Sequence, residues 1–290
     1  MQIKKAVIPA AGWGTRFLPQ SKAVPKEMLP VVDKPVIQCV VEEIAASGIK
    51  DIIIVSNGQK RSIEDHFDRS FELESFLRSV GKTKELKKIK KIAQLANFIY
   101  VRQKSELYGN AIPVLTAEPV IGKEFFAVLW GDEFIDSNPP RTKQMLEVFK
   151  KYKGGVISAV ELTEKDQYSR YGIAEMEPIT KDIFKIKRIV EKPGFKKAPS
   201  SFATHGAYIL PPDIFSVIKK QKPGKGGEIW LVEAINRLIK DGFPFYGCRI
   251  KNGKYYDTGN KLEYLKTVIE FALSHPEFSK DLKKFLRKII

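Results

Sequence analysis

A glycine-rich turn directly after the first apolar run constrains the fold of this chain more than any other feature. The run 6–8 (AVI) leads into Gly12 and Gly14, and later apolar runs at 52–55 and 125–129 alternate with helix-like patterns. Such alternation is typical of a sheet covered on both faces by helices, with ligands at the carboxyl ends of its strands. We therefore predict an α/β fold, Rossmann-like, with a mixed, mainly parallel sheet flanked by helices.

The organisation of the chain favours one domain. Its 290 residues suffice for one large core, and neither a repeat nor a low-complexity linker interrupts them. We expect a single domain over residues 1–290, with lobes of roughly 1–150 and 151–290. In the second lobe, strand-like runs and helical stretches are expected at 156–162, 183–190, 202–210, 213–220 and 228–240.

The segment 62–95 has the periodicity of helices. Ile63, Phe67, Phe71 and Phe76 recur at near-helical spacing, which predicts a stripe buried in the core. A structural rather than a functional role is therefore expected for these side chains.

The formal net charge of +16 raises the question of a nucleic-acid partner, because phosphate backbones attract clustered Lys and Arg. Much of the excess lies at 82–91 and 280–288, where basic residues are spaced among Leu, Ile and Phe as on the solvent-exposed face of amphipathic helices. We therefore expect no nucleic-acid partner, and keep a salt-sensitive nucleic-acid binder as the least favoured alternative. A basic surface would also favour the capture of nucleotides and sugar phosphates.

The apolar runs and the cysteines bear on the compartment. No run of about 18 apolar residues could span a bilayer, so we expect no membrane association and no signal peptide. Cys39 and Cys248 lack the spacing of a metal site or a disulfide scaffold. A reducing cytoplasm is the predicted location.

The glycine-rich loop 10–19 (AAGWGTRFLP) is followed by Lys22 and by 25–30 (PKEMLP). Glycines after a strand let backbone N–H groups approach a phosphate, and nearby basic side chains can neutralise its charge. A dinucleotide fingerprint would require a third glycine where Phe17 stands, and a P-loop would require Gly-Lys-Ser/Thr after four intervening residues. Both of those phosphate-binding motifs are therefore excluded.

The stretch 5–35 (KAVIPAAGWGTRFLPQSKAVPKEMLPVVDKP) resembles the bacterial-type UTP–glucose-1-phosphate uridylyltransferases, which are nucleotidyltransferases of sugar 1-phosphates. The segment 66–74 (HFDRSFELE) resembles a helical insertion typical of the uridylyl branch. Further motifs follow in the family's order at 102–103 (RQ), 131–132 (GD), 169–172 (SRYG), 190–193 (VEKP), 227–229 (GEI) and 256–259 (YDTG). The resemblance covers nearly the whole chain and implies a single nucleotidyltransferase domain.

The reaction implied by the resemblance transfers the uridylyl group of UTP to glucose 1-phosphate, giving UDP-glucose and pyrophosphate by Mg²⁺-assisted in-line attack on the α-phosphorus. Both reactants are polyanions, so the enzyme must chiefly align them and neutralise charge. The partners implied are UTP and glucose 1-phosphate, and family members are commonly homodimers or homotetramers.

Catalytic roles are implied for basic residues of the loop. Gly12, Gly14, Arg16 and Lys26 would cradle the triphosphate, with Arg16 on the departing pyrophosphate and Lys26 near the reacting phosphates. Without this motif, each basic side chain would be interpreted as an ordinary surface charge.

The resemblance also implies a set of residues that contact the nucleotide. An amide side chain both donates and accepts hydrogen bonds, which matches the edge of uracil. The predicted nucleotide-binding residues are Ala10, Ala11, Gly12, Gly14, Glu27, Gln103 and Gly109. Tyr108 and Asn110 depart from the family's pattern, which leaves the strictness of the uracil preference open.

Two aspartates are candidate ligands of the implied Mg²⁺. Asp132 follows an apolar run and Gly131, so its carboxylate is expected at the carboxyl edge of the sheet, and Asp257 is a possible second ligand. The alternatives are a turn or helix N-cap for Asp132 and a cap for the helix that starts near Asn260 for Asp257.

For the sugar, the resemblance implies Gly172, Glu191 and Glu228 as binding residues and Lys192 as a catalytic cation. A carboxylate accepts hydrogen bonds from vicinal hydroxyls, and a lysine pairs with the sugar's phosphate. Trp230 stands where the family usually has Gln, which leaves a sugar other than glucose open.

Two further alternatives remain at this point. One is a thymidylyl- or uridylyltransferase for another sugar 1-phosphate, and the helical insertion at 65–77 favours the uridylyl branch. The other is a catalytically silent regulatory relative, which is expected to lose the cationic loop or the metal aspartate, whereas this chain keeps Arg16, Lys26 and Asp132.

Overall fold

The computed structural model describes residues 2–289, with the side chain of Lys225 excepted. The strands are β1 (Lys5–Pro9), β2 (Pro30–Val31), β3 (Lys34–Pro35), β4 (Asp51–Ser56), β5 (Asn97–Arg102), β6 (Phe126–Leu129), β7 (Glu133–Ser137), β8 (Gly155–Glu161), β9 (Gly172–Pro178), β10 (Ile183–Glu191), β11 (Phe202–Leu210), β12 (Phe245–Arg249) and β13 (Gly253–Asp257). The helices are α1 (Val36–Ala46), α2 (Arg61–Phe67), α3 (Phe71–Ser79), α4 (Thr83–Ala93), α5 (Ala111–Thr116), α6 (Glu118–Ile121), α7 (Arg141–Tyr152), α8 (Asp213–Lys220), α9 (Leu231–Lys240), α10 (Lys261–Ser274) and α11 (Ser279–Leu286).

The central sheet has nine strands within residues 2–289, in the order β5-β4-β1-β6-β11-β8-β12-β10-β9. Strands β5, β4, β1 and β6 are parallel neighbours, and β12 is parallel to β8. Strands β10 and β11 run antiparallel to the other seven strands, which all point the same way. The predicted α/β class with a mixed, mainly parallel sheet is confirmed.

The strand order reverses at β1. The chain passes from β1 to β4 and β5 on one side and returns to β6 on the other side. Connections that leave in opposite directions open a crevice at the carboxyl ends of the two strands, which is where α/β sheets bind ligands. The glycine-rich loop after β1 and Gly131 after β6 both lie at this crevice.

Alternate residues of the central strands enter different cores. Ile8 and Ile54 belong to the cluster packed with α1 and α7, whereas Val7 and Ile53 belong to the cluster packed with α5 and α9, and all four are fully buried. Side chains of a strand alternate between the faces of the sheet, and both faces are covered here. Each such burial contributes about 1.5–3 kcal/mol, so the strands that carry the loop are rigidly held.

The predicted core stripe is wrong in its second half. Ile63 and Phe67 are buried, but Phe71 is 65% exposed and Phe76 is 57% exposed. Helix α2 ends at Phe67 and α3 begins at Phe71, so the helical phase is reset between them. The side chain of Leu77 is buried from α3 instead, and Arg69 lies over the Phe71 ring.

Helix α9 begins at Leu231, three residues later than the sequence predicts. The preceding residues are held as extended chain, because the Ile229 amide donates to the Tyr108 carbonyl at 2.7 Å. Among the described helices, none combines the length and the apolar character needed to cross a bilayer.

A fully buried ion pair joins α1 to α7. Arg141 donates to both carboxylate oxygens of Glu43, at 3.1 and 2.9 Å, and the Thr142 amide and hydroxyl also donate to that carboxylate. Arg141 and Thr142 are the first residues of α7, so an anion from a neighbouring helix complements the positive end of its dipole. The pair fixes the helix that packs beneath β8.

We expect Glu43→Ala to lower the free energy of unfolding by about 3–5 kcal/mol, because it leaves the buried Arg141 charge without its partner. Chemical denaturation measures this directly. The matched control is Glu42→Ala, which removes a half-exposed pair with Lys34 and should cost at most about 1 kcal/mol. Equal losses in the two variants would contradict the role given to the buried pair.

Candidate active site

The loop after β1 is fixed by its own glycine and by β4. Gly14 has φ +66°, a left-handed conformation that glycine adopts without strain, and a Cβ there would lie 3.2 Å from the Ser21 Cβ. The Ala10 amide donates to the Val55 carbonyl at 2.8 Å, and Asn57 donates to the Ala11 carbonyl at 2.9 Å. The backbone that is predicted to approach the nucleotide is therefore anchored to the sheet.

A cavity of about 420 Å³ opens beside this loop. Its volume lies within the range of ordinary ligand sites. Residues of the loop and of the segment after β4 line it, including Trp13, Thr15, Ser21, Lys26, Asn57 and Lys60. Two of these are lysines, which suits an anionic occupant.

Two ion pairs join the loop after β1 to neighbouring segments of the chain. The Lys26 ammonium donates to Asp132 Oδ2 at 2.5 Å, which joins the loop to the residue after Gly131. The Lys60 ammonium donates to both carboxylate oxygens of Glu27, at 2.9 and 2.8 Å. The side chains of Lys60 and Glu27 are only 6% and 1% exposed, so this second pair is a buried one.

The pairing sets the ionisation of these groups. Burial acts to lower the pKa of Lys26, but the Asp132 and Glu27 carboxylates outweigh it and raise that pKa. Burial acts to raise the pKa of Asp132, but Lys26 and Arg16 outweigh it and lower that pKa. Burial raises the pKa of Glu27 and lowers that of Lys60, although each partner opposes the shift of the other. Lys26 and Asp132 are thus held as ions at neutral pH.

The two candidate metal ligands face one point at the crevice. Strand β13 pairs antiparallel with β7, with Asp257 opposite Glu133, so Asp257 is brought beside Asp132. A Cβ on Gly259 would lie 2.9 Å from Asp132 Oδ2, 3.2 Å from Asp257 Oδ1 and 3.6 Å from an Arg16 nitrogen. Arg16 also donates to the Gly259 carbonyl at 3.0 Å. Arg16, Lys26 and both aspartates therefore meet around Gly259.

The structure decides against the capping alternatives for both aspartates. Asp132 is followed by the strand β7, so no helix begins at it. The cap of α10 is Asn260, whose side chain accepts hydrogen bonds from the Leu262 and Glu263 amides. Asp132 lies in the turn between β6 and β7, so the turn alternative for it stands. The metal-ligand role of both carboxylates stays a prediction.

The predicted sugar-binding residues form a second group, at the ends of β9 and β10. A Cβ on Gly172 would lie 3.1 Å from Glu191 Oε2, and the Lys192 ammonium lies 3.6 Å from Glu191 Oε1. Burial raises the pKa of Glu191. Lys192 has φ +47°, a conformation uncommon for a side-chain-bearing residue, and its ammonium lies 5.2 Å from the centroid of the Trp230 ring.

The predicted base-binding residues lie on the segment after β5. The Gln103 amide donates to the Ser56 carbonyl at 2.9 Å, while its side-chain oxygen is buried without a hydrogen-bond partner in the described structure. A Cβ on Gly109 would lie 2.2 Å from the Ile229 carbonyl oxygen, so close packing alone requires glycine there. Glu228 is half-buried beside this segment and forms an isolated β-bridge with Tyr108.

The residues that depart from the family's pattern lie in one packed unit. The Asn110 side chain accepts a hydrogen bond from the Leu231 amide at 2.8 Å, at the start of α9. Gln221 donates to the Trp230 carbonyl at 3.0 Å, and Trp230 is the residue that precedes α9. This unit connects the predicted base-binding segment after β5 to Trp230, the residue whose ring faces the Lys192 ammonium.

A buried cluster behind the aspartates was not predicted from the sequence. The Tyr255 hydroxyl donates to Glu133 Oε2 at 2.6 Å, and the His205 ring stacks on Tyr255 with centroids 3.9 Å apart. Burial raises the pKa of Glu133 to about 8 and lowers the pKa of His205 to about 3, so both groups favour their neutral forms. A Cβ on Gly206 would overlap the Glu133 carboxyl, which explains the glycine on β11.

Sequence reasoning also missed Lys60 and the contact of Tyr171 with Asp257. The Tyr171 hydroxyl donates to Asp257 Oδ2 at 3.0 Å. Lys60 lies outside every motif, and its partner Glu27 is 33 positions away, so no local pattern signals the pair. Tyr171 stood within a recognised motif, but only the fold reveals what its hydroxyl contacts.

A cationic loop that faces two carboxylates at the switch point of an α/β sheet defines an enzyme class that handles nucleotide phosphates. The family model of the nucleotidyl transferases matches residues 5–272. The chain therefore belongs to the nucleotidyl transferase family, and the resemblance predicted from the sequence is confirmed.

The chain is similar to proteins named for one reaction of this family. It is 45% identical to the UTP–glucose-1-phosphate uridylyltransferase of Staphylococcus epidermidis over 292 residues, and 47% identical to that of Staphylococcus haemolyticus over 290 residues, with 99% of each chain covered. A UTP-bound UGPase from Acinetobacter baumannii is 35% identical with a TM-score of 0.90, over 100% of both chains. A UDP-glucose pyrophosphorylase complexed with UDP-glucose is 39% identical with a TM-score of 0.86, over 94% of this chain and 100% of that one.

We expect Lys60→Met to destabilise the fold by about 3–5 kcal/mol, because it leaves a buried carboxylate without its cation. The double variant Glu27→Gln with Lys60→Met should recover most of this loss, since replacing both partners of a buried pair is often close to neutral. Denaturation of the wild type, both single variants and the double variant measures the coupling. Additive losses would disprove the pairing of Lys60 with Glu27.

Proposed function

We propose that this chain transfers the uridylyl group of UTP to glucose 1-phosphate, producing UDP-glucose and pyrophosphate. The observation that carries the proposal is the convergence of Arg16, Lys26, Asp132 and Asp257 around Gly259. Family membership and relatives that are named for this reaction support the substrates. UDP-glucose and UTP are bound in the similar crystal structures.

The basic residues would carry most of the catalytic effect. Attack of a sugar-phosphate oxygen on the α-phosphorus needs no covalent nucleophile from the protein, so alignment and charge neutralisation dominate. Arg16 would bind the departing pyrophosphate and Lys26 the phosphates being rearranged. Both cations are held near the crevice before substrate arrives, Arg16 by the Gly259 carbonyl and Lys26 by Asp132.

Mg²⁺ is the proposed cofactor, held by Asp132 and Asp257. Within residues 2–289, no group of three or more His, Cys, Asp or Glu side chains is arranged to hold a metal ion. Two carboxylates suit Mg²⁺ nonetheless, because this ion is usually bound by one or two carboxylates together with substrate phosphates and waters. When bound, it would polarise phosphate oxygens and neutralise their charge.

The remaining predicted residues would select the substrates. Gln103 has a buried side-chain oxygen that would accept a hydrogen bond from the base. The backbone of Ala10, Ala11 and Gly12 is proposed to contact the base as well. Glu191, with Gly172 packed against it, would accept hydrogen bonds from the sugar hydroxyls. Glu228 is proposed for the same role from its place beside Tyr108. Lys192 would pair with the sugar's phosphate.

The test is pyrophosphate release with Mg²⁺ from a matrix of UTP, dTTP, CTP, ATP and GTP against the 1-phosphates of glucose, galactose and N-acetylglucosamine. We expect preference for UTP with glucose 1-phosphate. Asp132→Asn should lower kcat about 100-fold or more, because metal-ion stabilisation is worth several kcal/mol.

The matched control for that variant is Asp136→Asn, which alters an exposed carboxylate on the strand that follows Asp132 and should leave kcat unchanged. Preference for another combination of nucleoside triphosphate and sugar 1-phosphate would assign a different sugar nucleotide as the product. A folded protein that turns over no pair would favour the catalytically silent relative and would contradict the proposed function.

We further propose a homo-oligomer, either a dimer or a tetramer, in the cytoplasm. Leu262, Leu265 and Ile269 are exposed at i, i+3 and i+7 along α10, which makes an apolar stripe suited to a second copy. Cys39 and Cys248 are free thiols, in keeping with a reducing compartment. Light scattering should give a mass above that of one chain and a lower mass for Leu265→Lys, whereas a monomer at all concentrations would contradict the assembly.

A further inference from the structure

We propose that Tyr171 is a positioning residue that couples the metal-binding carboxylate Asp257 to the sugar-phosphate lysine Lys192. The inference rests on the proposed function, because it assumes the roles given there to Asp257 and Lys192. It adds a route by which occupation of the metal site and binding of the sugar phosphate affect each other.

The side chain of Tyr171 fixes one end of this route. Its hydroxyl donates to Asp257 Oδ2 at 3.0 Å, and the Gly259 amide donates to Asp257 Oδ1 at 3.0 Å. Each oxygen of the carboxylate therefore has one donor. Of these two donors, Tyr171 is the one that comes from outside the segment 257–259. Removing the hydroxyl would leave the carboxylate held only by the Gly259 amide at Oδ1 and so would loosen its orientation.

The backbone of Tyr171 fixes the other end. Its carbonyl accepts a hydrogen bond from the Lys192 amide at 3.1 Å. Lys192 holds a left-handed conformation, which costs free energy and persists only when surrounding contacts impose it. The next residue, Gly172, packs directly against the Glu191 carboxylate, so the position of Tyr171 also locates the sugar-binding pair.

The ring of Tyr171 is held from behind by the buried cluster. It meets the His205 ring edge-on with centroids 4.3 Å apart, and His205 stacks in turn on Tyr255. Tyr255 donates to Glu133, the residue that follows Asp132. Because the ring is packed in this way, a shift of Asp257 is passed to the backbone of Tyr171 rather than absorbed by a swinging side chain.

Such a link predicts a measurable coupling between two ligands. Mg²⁺ at Asp257 should strengthen the binding of a sugar diphosphate at Lys192, and the coupling is reciprocal by thermodynamic necessity. Part of any Mg²⁺ effect on UDP-glucose comes from direct contact between the ion and the diphosphate. The share of the Mg²⁺ effect that depends on Tyr171 is measured as the loss that follows when only the Tyr171 hydroxyl is removed.

The experiment compares Tyr171→Phe with Tyr256→Phe. The control removes a neighbouring hydroxyl that donates to Glu270 and not to Asp257. Calorimetry gives the dissociation constant of UDP-glucose with Mg²⁺ and with EDTA, and paramagnetic resonance of Mn²⁺ gives the metal affinity without turnover. We expect Tyr171→Phe to weaken Mn²⁺ binding and to reduce the Mg²⁺-dependent gain in UDP-glucose affinity by about fivefold or more, the lower end of typical coupling factors.

The outcomes separate this inference from the proposed function. If Tyr171→Phe keeps the wild-type Mg²⁺ gain and Mn²⁺ affinity, the coupling is overturned and the proposed function is left intact. The same holds if Tyr256→Phe loses as much of the Mg²⁺ gain and of the Mn²⁺ affinity as Tyr171→Phe does. A wild-type protein that does not bind UDP-glucose overturns both. Should Tyr171→Phe fail to fold, His205→Leu decides, because it removes the ring that packs on Tyr171 and leaves every proposed ligand residue in place. The coupling predicts a reduced Mg²⁺ gain in this variant, and an unchanged gain overturns it.

Discussion

The ion pair between Lys26 and Asp132 is the interaction on which the rest of the site depends. The two residues are 106 positions apart and belong to loops that follow adjacent parallel strands. A site for two polyanions needs buried cations, and a buried cation without a partner is costly. Pairing Lys26 with a carboxylate solves this problem in the free protein, because Asp132 and Glu27 together outweigh the burial that would neutralise the lysine. The same principle accounts for the buried pair of Lys60 with Glu27 directly behind it.

The topology makes this pairing possible with few residues. The reversal of strand order at β1 places two loop segments at one crevice, and the small β7–β13 sheet then brings Asp257 to the same place from more than a hundred residues later. Glycines at 14, 131 and 259 leave room where these segments touch. The proposed sugar-binding group lies at the ends of β9 and β10, and Tyr171 connects it to Asp257, one of the two proposed metal ligands. One sheet thus carries both halves of the proposed chemistry.

The sequence predicted the parts of this arrangement that are encoded locally. Periodicity and glycine placement predicted the α/β class, and ordered motifs predicted the family and the loop. The interactions that sequence reasoning missed are those in which tertiary contacts choose the partner. Lys60 carries no motif, and Phe71 and Phe76 continue an apolar spacing across a helix break that resets its phase. Asn110 and Trp230 were noted as departures from the family's pattern, but only the fold shows that they lie in one packed unit.

The diphosphate and the metal are proposed to bind between the cationic loop and the two aspartates. Crystals grown with UDP-glucose and Mn²⁺ test it most directly, because anomalous scattering locates the metal independently of the fitted ligand. We expect a single Mn²⁺ bound by Asp132 and Asp257, with the diphosphate within reach of Arg16 and Lys26. A metal bound away from both aspartates would contradict it. So would a diphosphate held in the separate cavity of about 450 Å³ that Asp33, Lys34 and His275 line.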